Sequence, residues 1–201
     1  MKKYLATLAL MDWLLFGAMV ALAVGSVFFI YSASYRGPGQ PMPSFYKMQI
    51  IWFGVGLALY LAVALIDYRL ICQWATVWYV IAVCLLVVVL VAGVKVYGAR
   101  RWIGLGRFGI QPAEIAKLGT LIAISYYLFH RPLESRRQLT TVGAVLMMMA
   151  LPLLLIMLEP DLGSALALVP ICFGLMFVAG VRIKHLVLVT VVGLALAPLA
   201  W

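Results

Sequence analysis

The residues able to do chemistry gather in two short stretches of an otherwise apolar chain. The first, from Gly98 to Lys117, reads GARRWIGLGRFGIQPAEIAK. Arg100, Arg101 and Arg107 come first, interleaved with Trp102 and Phe108. Basic and Trp side chains at a membrane–water boundary suit a lipid with an anionic head group. Gln111-Pro112 then marks a helix start, because proline fits the first helical position, where its missing N–H is not needed. That puts Glu114 in the first turn, where the helix dipole favours an anion, and places Lys117 three residues on, on the same face. The second stretch is Leu158 to Ser164, LEPDLGS. Asp161 there either caps the helix that follows or faces Lys117 or Arg107 in a buried charge network. Plainer roles exist for each residue: Glu114 as a first-turn anion, Lys117 snorkelling to the interface, Trp102 as an interfacial anchor. Against them, Glu114 and Lys117 sit in an apolar segment, where ionisable residues are costly and usually functional. The sequence has no phosphate loop, no Ser-His-Asp order and no metal-binding repeat. His130 and His185 fall at helix ends, and a cation near a helix C-terminus accounts for His130.

The elements that must hold these residues are membrane helices. Of the 201 residues 67% are hydrophobic and 10% charged, and mean hydropathy is +1.14. A soluble domain of this length needs far more charge to cover its surface. The apolar runs are continuous rather than alternating, which fits helices of roughly 20 residues and makes a spanning barrel a poor alternative. Seven spans are expected, near residues 11–33, 48–66, 74–93, 112–129, 139–158, 163–180 and 186–201. The N-terminal Met-Lys-Lys mimics a signal peptide, but no cleavage pattern ends the apolar run, so the first helix is retained. Residues 34–47 are rich in Gly and Pro and cannot be helical throughout. Asp67-Tyr68-Arg69 makes a tight turn, and residues 95–111 form a long basic, aromatic loop. Cys72, Cys84 and Cys172 are unclustered and serve packing. The fold class is therefore all-α: one polytopic transmembrane helical bundle over 1–201.

With a cytoplasmic N-terminus, eight of the fifteen Lys and Arg fall inside and seven outside. The positive-inside bias is nearly nil, because Lys95, Arg100, Arg101 and Arg107 all fall in the 95–107 stretch. The Lys2-Lys3 start favours the N-terminus inside. On that topology the basic loop and the 159–163 turn share the outer side. The seventh span runs to Trp201 without a polar tail, which leads us to expect the N-terminal part of a longer protein.

GARRWIGLG, FGIQPAEIAK and LEPDLGSAL, in this order at helix boundaries, resemble signature segments of the SEDS family (shape, elongation, division and sporulation), most closely its rod-shape-determining branch. The resemblance runs from the first helix to the end of the chain. It implies about ten helices in a bacterial inner (cytoplasmic) membrane. It further implies a peptidoglycan glycosyltransferase of the elongation machinery that polymerises lipid II on the outer face and maintains rod shape. The implied partners are a class B penicillin-binding protein, which adds the transpeptidase, and other elongation-complex membrane proteins; no nucleic acid is implied. Arg100, Arg101, Trp102, Arg107, Glu114, Lys117 and Asp161 are the candidate substrate-binding residues. Trp102, Arg107, Glu114, Lys117 and Asp161 match residues of the family's outer cavity, and Ala113 stands where Ser is more usual. The family's catalytic aspartate lies in an outer loop after the seventh helix, beyond residue 201, so the resemblance implies no catalytic residue within this chain and no activity of the chain alone. The chemistry admits a divalent cation of unknown identity as cofactor. Two other functions use the same features: a lipid II flippase, with the charges along a transport path, and a non-catalytic scaffold for a penicillin-binding protein. The clustering of Glu114, Lys117, Arg107 and Asp161 on one side argues against a path through the membrane.

Overall fold

The computed structural model describes residues 11–35, 44–96, 99–105 and 108–196. Seven long helices stand where the apolar runs predict them: α1 (Trp13–Ser34), α2 (Phe45–Ala64), α4 (Ala75–Ala92), α5 (Pro112–Phe129), α7 (Leu139–Leu158), α8 (Leu162–Val178) and α9 (Ile183–Leu196). Two short helices, α3 (Tyr68–Gln73) and α6 (Leu133–Arg136), lie in the connections. Tyr68 and Arg69 thus begin a helix instead of completing a turn. The stretch expected as an irregular loop over 95–111 is largely an antiparallel sheet: β1 (Val94–Val96), β2 (Ala99–Leu105) and β3 (Phe108–Ile110), in the order β1-β2-β3. Its β-branched and aromatic residues suit strands. Most of the 34–47 connection, Arg107 and residues 197–201 lie outside the described residues.

Four helices, α1, α2, α4 and α7, are long and apolar enough to cross a membrane; Leu162–Val178 and Ile183–Gly193 are apolar but shorter. Neither α1 nor α2 buries a residue. Apolar surface exposed all round a helix is stable against lipid tails, which are as apolar as the side chains.

The described residues form two compact units, divided after Tyr68. In the first, Asp12 caps α1 by accepting from the N–H groups of Leu14 and Leu15. Gln49 of α2 donates to the Ser26 hydroxyl of α1 at 3.2 Å.

In the second unit the core has two parts. One is large and aliphatic, with Ile124, Leu128, Val142, Val145, Leu168, Cys172 and Met176; the buried Cys172 packs as expected. The other is built from small residues, Ala82, Ala113, Ala116 and Ala165, around Leu86 and Ile156. Small side chains let backbones approach closely, the usual device of membrane helices. A Cβ on Gly119 of α5 would stand 2.9 Å from the Ala82 Cβ and 3.0 Å from the Trp78 carbonyl of α4, so glycine is required there.

α7 also carries Pro152 in its interior. Proline lacks the N–H that would bond the carbonyl four residues back, that of Met148. The Tyr79 hydroxyl of α4 donates to the Met148 carbonyl at 2.8 Å and fills the gap. Tyr79→Phe should therefore destabilise the protein by about 1–2 kcal/mol, the cost of an orphaned buried acceptor. Denaturant unfolding in detergent micelles measures this. An unchanged midpoint would show that the carbonyl finds another donor.

Candidate functional site

The candidate site is assembled where the sheet meets the turn between α7 and α8. α7 ends at Leu158, and Glu159 closes it, its N–H donating to the Leu155 and Ile156 carbonyls. A helix C-terminus leaves carbonyls unpaired and carries partial negative charge. Arg101 of β2 answers both needs. Its Nε donates to the Glu159 carbonyl at 3.1 Å, and its guanidinium also donates to the Pro160 carbonyl. Its neighbour Arg100 does the same for a different helix, donating to the Leu90 and Val91 carbonyls of α4 at 3.3 and 2.8 Å. Successive strand residues point to opposite faces, so one dipeptide clasps two helix ends. The basic stretch and the 159–163 turn thus lie at the same end of the bundle.

Asp161 caps α8. It accepts from the Ser164 N–H at 3.1 Å and the Ser164 hydroxyl at 3.0 Å. The Gln111 amide, just before α5, donates at 2.8 Å to Oδ2, the same oxygen that accepts from the Ser164 hydroxyl. The cap is realised, whereas the described side-chain partners of Asp161 are the neutral Ser164 and Gln111 and not Lys117, which pairs with Glu114. Burial pushes the Asp161 carboxyl up, but the Ser164 N–H and hydroxyl, the Arg101 charge and the Gln111 amide outweigh it and hold it below the usual aspartate range. In the sequence Gln111 reads as part of a helix start and of the FGIQPAEIAK segment, with no bonding partner indicated.

Glu159 is the residue that sequence reasoning missed. It is 1% exposed, and neither carboxyl oxygen has a hydrogen-bond partner among the described residues. It lies in the turn, outside the spanning segments. Burial first, and then the neighbouring Asp161 charge, push its carboxyl up to about 7, with Arg101 pulling the other way. A Glu beside a helix-breaking Pro in a polar turn reads as solvated; no local signal marks it as buried.

Glu114 and Lys117 pair directly, Nζ to Oε1 at 2.7 Å. Lys117 is 19% exposed and Glu114 58%, so the carboxylate holds the ammonium from the wetter side. Trp102 lies over Gly109 of the neighbouring strand: a Cβ on Gly109 would stand 2.9 Å from the indole. Arg107, between β2 and β3, lies outside the described residues.

Among the described residues no three His, Cys, Asp or Glu side chains come together as metal ligands. Both Asp161 oxygens are taken by neutral donors.

Comparison with known proteins places these features in a family. The model of the cell cycle proteins FtsW, RodA and SpoVE matches residues 11–201. The chain is 33% identical over 173 residues to the peptidoglycan glycosyltransferase RodA of Treponema pallidum, covering 86% of this chain and 40% of that one. It is similar to the crystal structure of the Thermus thermophilus rod shape determining protein RodA, with TM-score 0.73, 33% identity and coverage of 92% of this chain and 59% of that one. It is also similar to a chain of a peptidoglycan synthase complex described as coordinating polymerization and crosslinking (TM-score 0.71, 30% identity, 93% and 55% covered). The chain spans under half the length of the curated relatives it matches.

Proposed function

The chain belongs to the FtsW/RodA/SpoVE family of cell cycle proteins, which makes it a membrane protein, and from that membership we propose that it serves a peptidoglycan glycosyltransferase. The reaction joins lipid II units on the outer face of the cytoplasmic membrane. The observation that carries this reading is the Glu114–Lys117 pair at 2.7 Å, at the same end of the bundle as the Arg101-clasped turn. A sugar hydroxyl of one unit attacks the anomeric carbon of the other. A base takes the hydroxyl proton, and the bond to the pyrophosphate breaks. The pyrophosphate gains negative charge as it leaves, and preorganised cations stabilise it. Lys117 is the described cation poised for this, with Arg107 as its companion and Glu114 fixing the ammonium in place. Arg101 and Arg100 act one step back: they bind helix-end carbonyls and hold the sheet against the bundle. Asp161 and Gln111 fix the start of α8 against the start of α5. The family resemblance puts the base in an outer loop after the seventh helix.

We assign the N-terminus to the cytoplasm, so that three long helices bring the sheet to the outer face. A class B penicillin-binding protein is the proposed partner; the similarity to a synthase complex that couples polymerization with crosslinking supports it. The elongation machinery is the proposed setting, supported by the RodA likeness. Radiolabelled lipid II incubated with a purified full-length family member carrying this segment and its penicillin-binding partner should yield glycan chains, and the 201-residue chain alone should yield none. Transbilayer movement of lipid II without polymer, in the same proteoliposomes, would replace this reading with a flippase.

A further inference from the structure

A cavity of about 380 Å³ lies at the other end of α5, where the proposed reaction makes no use of it. Its size is in the range of small-ligand sites. The interior is apolar, with buried Ala75 and Ala123 and the half-buried Met148. The mouth carries Tyr126, Tyr127, His130 and Arg131. Tyrosines and cations around an apolar hollow are what a protein presents at the head-group level of a bilayer.

Local bonding sets the sign of the site. A helix C-terminus ordinarily repels an anion through its unpaired carbonyls. Here the chain folds back after α5, and Arg136 donates to the Phe129 carbonyl at 3.0 Å and the Arg131 carbonyl at 2.6 Å. His130 Nδ1 donates to the Tyr126 carbonyl at 2.9 Å. With these carbonyls occupied, the Arg131 guanidinium stands at the mouth over the Tyr127 ring, 4.9 Å from its centroid. A ring face attracts a cation without neutralising it, and among the described residues no carboxylate lines the cavity.

We infer that this cavity binds an anionic phospholipid, its phosphate at Arg131 and its acyl chain against Ala75, Ala123 and Met148. A zwitterionic lipid brings its own cation beside the phosphate, which weakens its attraction to the guanidinium. A free phosphate leaves the apolar interior bare. Basic pockets between transmembrane helices take acidic head groups on these grounds. The site lies away from the Glu159 turn and does not depend on the polymerase reading.

The test is native mass spectrometry and thermal unfolding of the purified protein in an uncharged detergent, with phosphatidylglycerol, phosphatidylcholine or inorganic phosphate added. Phosphatidylglycerol should stay bound and raise the melting temperature; the other two should do neither. Arg131→Gln should weaken phosphatidylglycerol binding roughly tenfold, the loss of one charge-assisted contact. Arg131→Lys should keep most of it, and Lys184→Gln, a cation removed at the same end of the bundle, should leave it unchanged. Because Arg131 is exposed, these variants should fold as the parent does. Equal binding by Arg131→Gln and the parent would overturn the proposal. So would equal losses in Arg131→Gln and Lys184→Gln, or equal stabilisation by inorganic phosphate or phosphatidylcholine.

Discussion

Lys117→Ala, in a full-length family member carrying this segment, should lower glycan polymerisation by about 10²–10³, the usual cost of removing one preorganised donor to a developing charge. The expectation rests on position as well as charge. The ammonium is held by Glu114 at 2.7 Å and is mostly withdrawn from water, where its attraction for a leaving pyrophosphate is less screened. Glu114→Gln keeps the length of the side chain and removes the charge that holds the ammonium, so it should cost less than Lys117→Ala. Membrane insertion should be normal in both, since the apolar spans are untouched. Polymerisation of labelled lipid II by the reconstituted proteins measures this, with the amount inserted as the control. Normal turnover in Lys117→Ala would remove the residue from the site.

Glu159→Gln should stabilise the protein at alkaline pH and flatten its stability profile. A carboxyl raised in the folded state from 4.5 to about 7 keeps its proton longer there than in the unfolded chain. The folded state then binds more protons between those two values, so stability falls as pH rises from 4.5 through 7. At one pH unit to about 1.4 kcal/mol, the full penalty above pH 7 is roughly 3 kcal/mol. The amide has the same shape and no charge to desolvate, so it escapes this penalty. The measurement is denaturant unfolding of parent and variant in micelles from about pH 5 to about pH 8. The difference between them should grow with pH in favour of the variant. Parallel profiles would mean that the carboxyl has a partner outside the described residues, or water. Activity adds a second readout: if Glu159 only shapes the turn, the amide should turn over normally at every pH tested.

The sequence by itself determined the helices. An apolar run long enough to span is a local property, and each of the seven runs became a helix whose ends sit near its polar boundaries. Capping is local too: Asp12 and Asp161 bond the first turns of the helices they precede. Glu114 and Lys117, three apart on one helix, met because helical geometry puts them together. What only the tertiary structure decided are the partnerships across long stretches of chain. Arg101 finds the Glu159 carbonyl 58 residues on, and Tyr79 finds the Met148 carbonyl 69 residues on. The sequence grouped Arg100 and Arg101 as one cationic patch. The strand pleat sends them to the ends of two different helices, a division that exists only once the stretch is a strand and both helices are in place. Glu159 is the clearest case. Its burial is set by what the fold brings to the turn, with Arg101 of β2 bonded to its carbonyl, and no pattern within the turn encodes that packing.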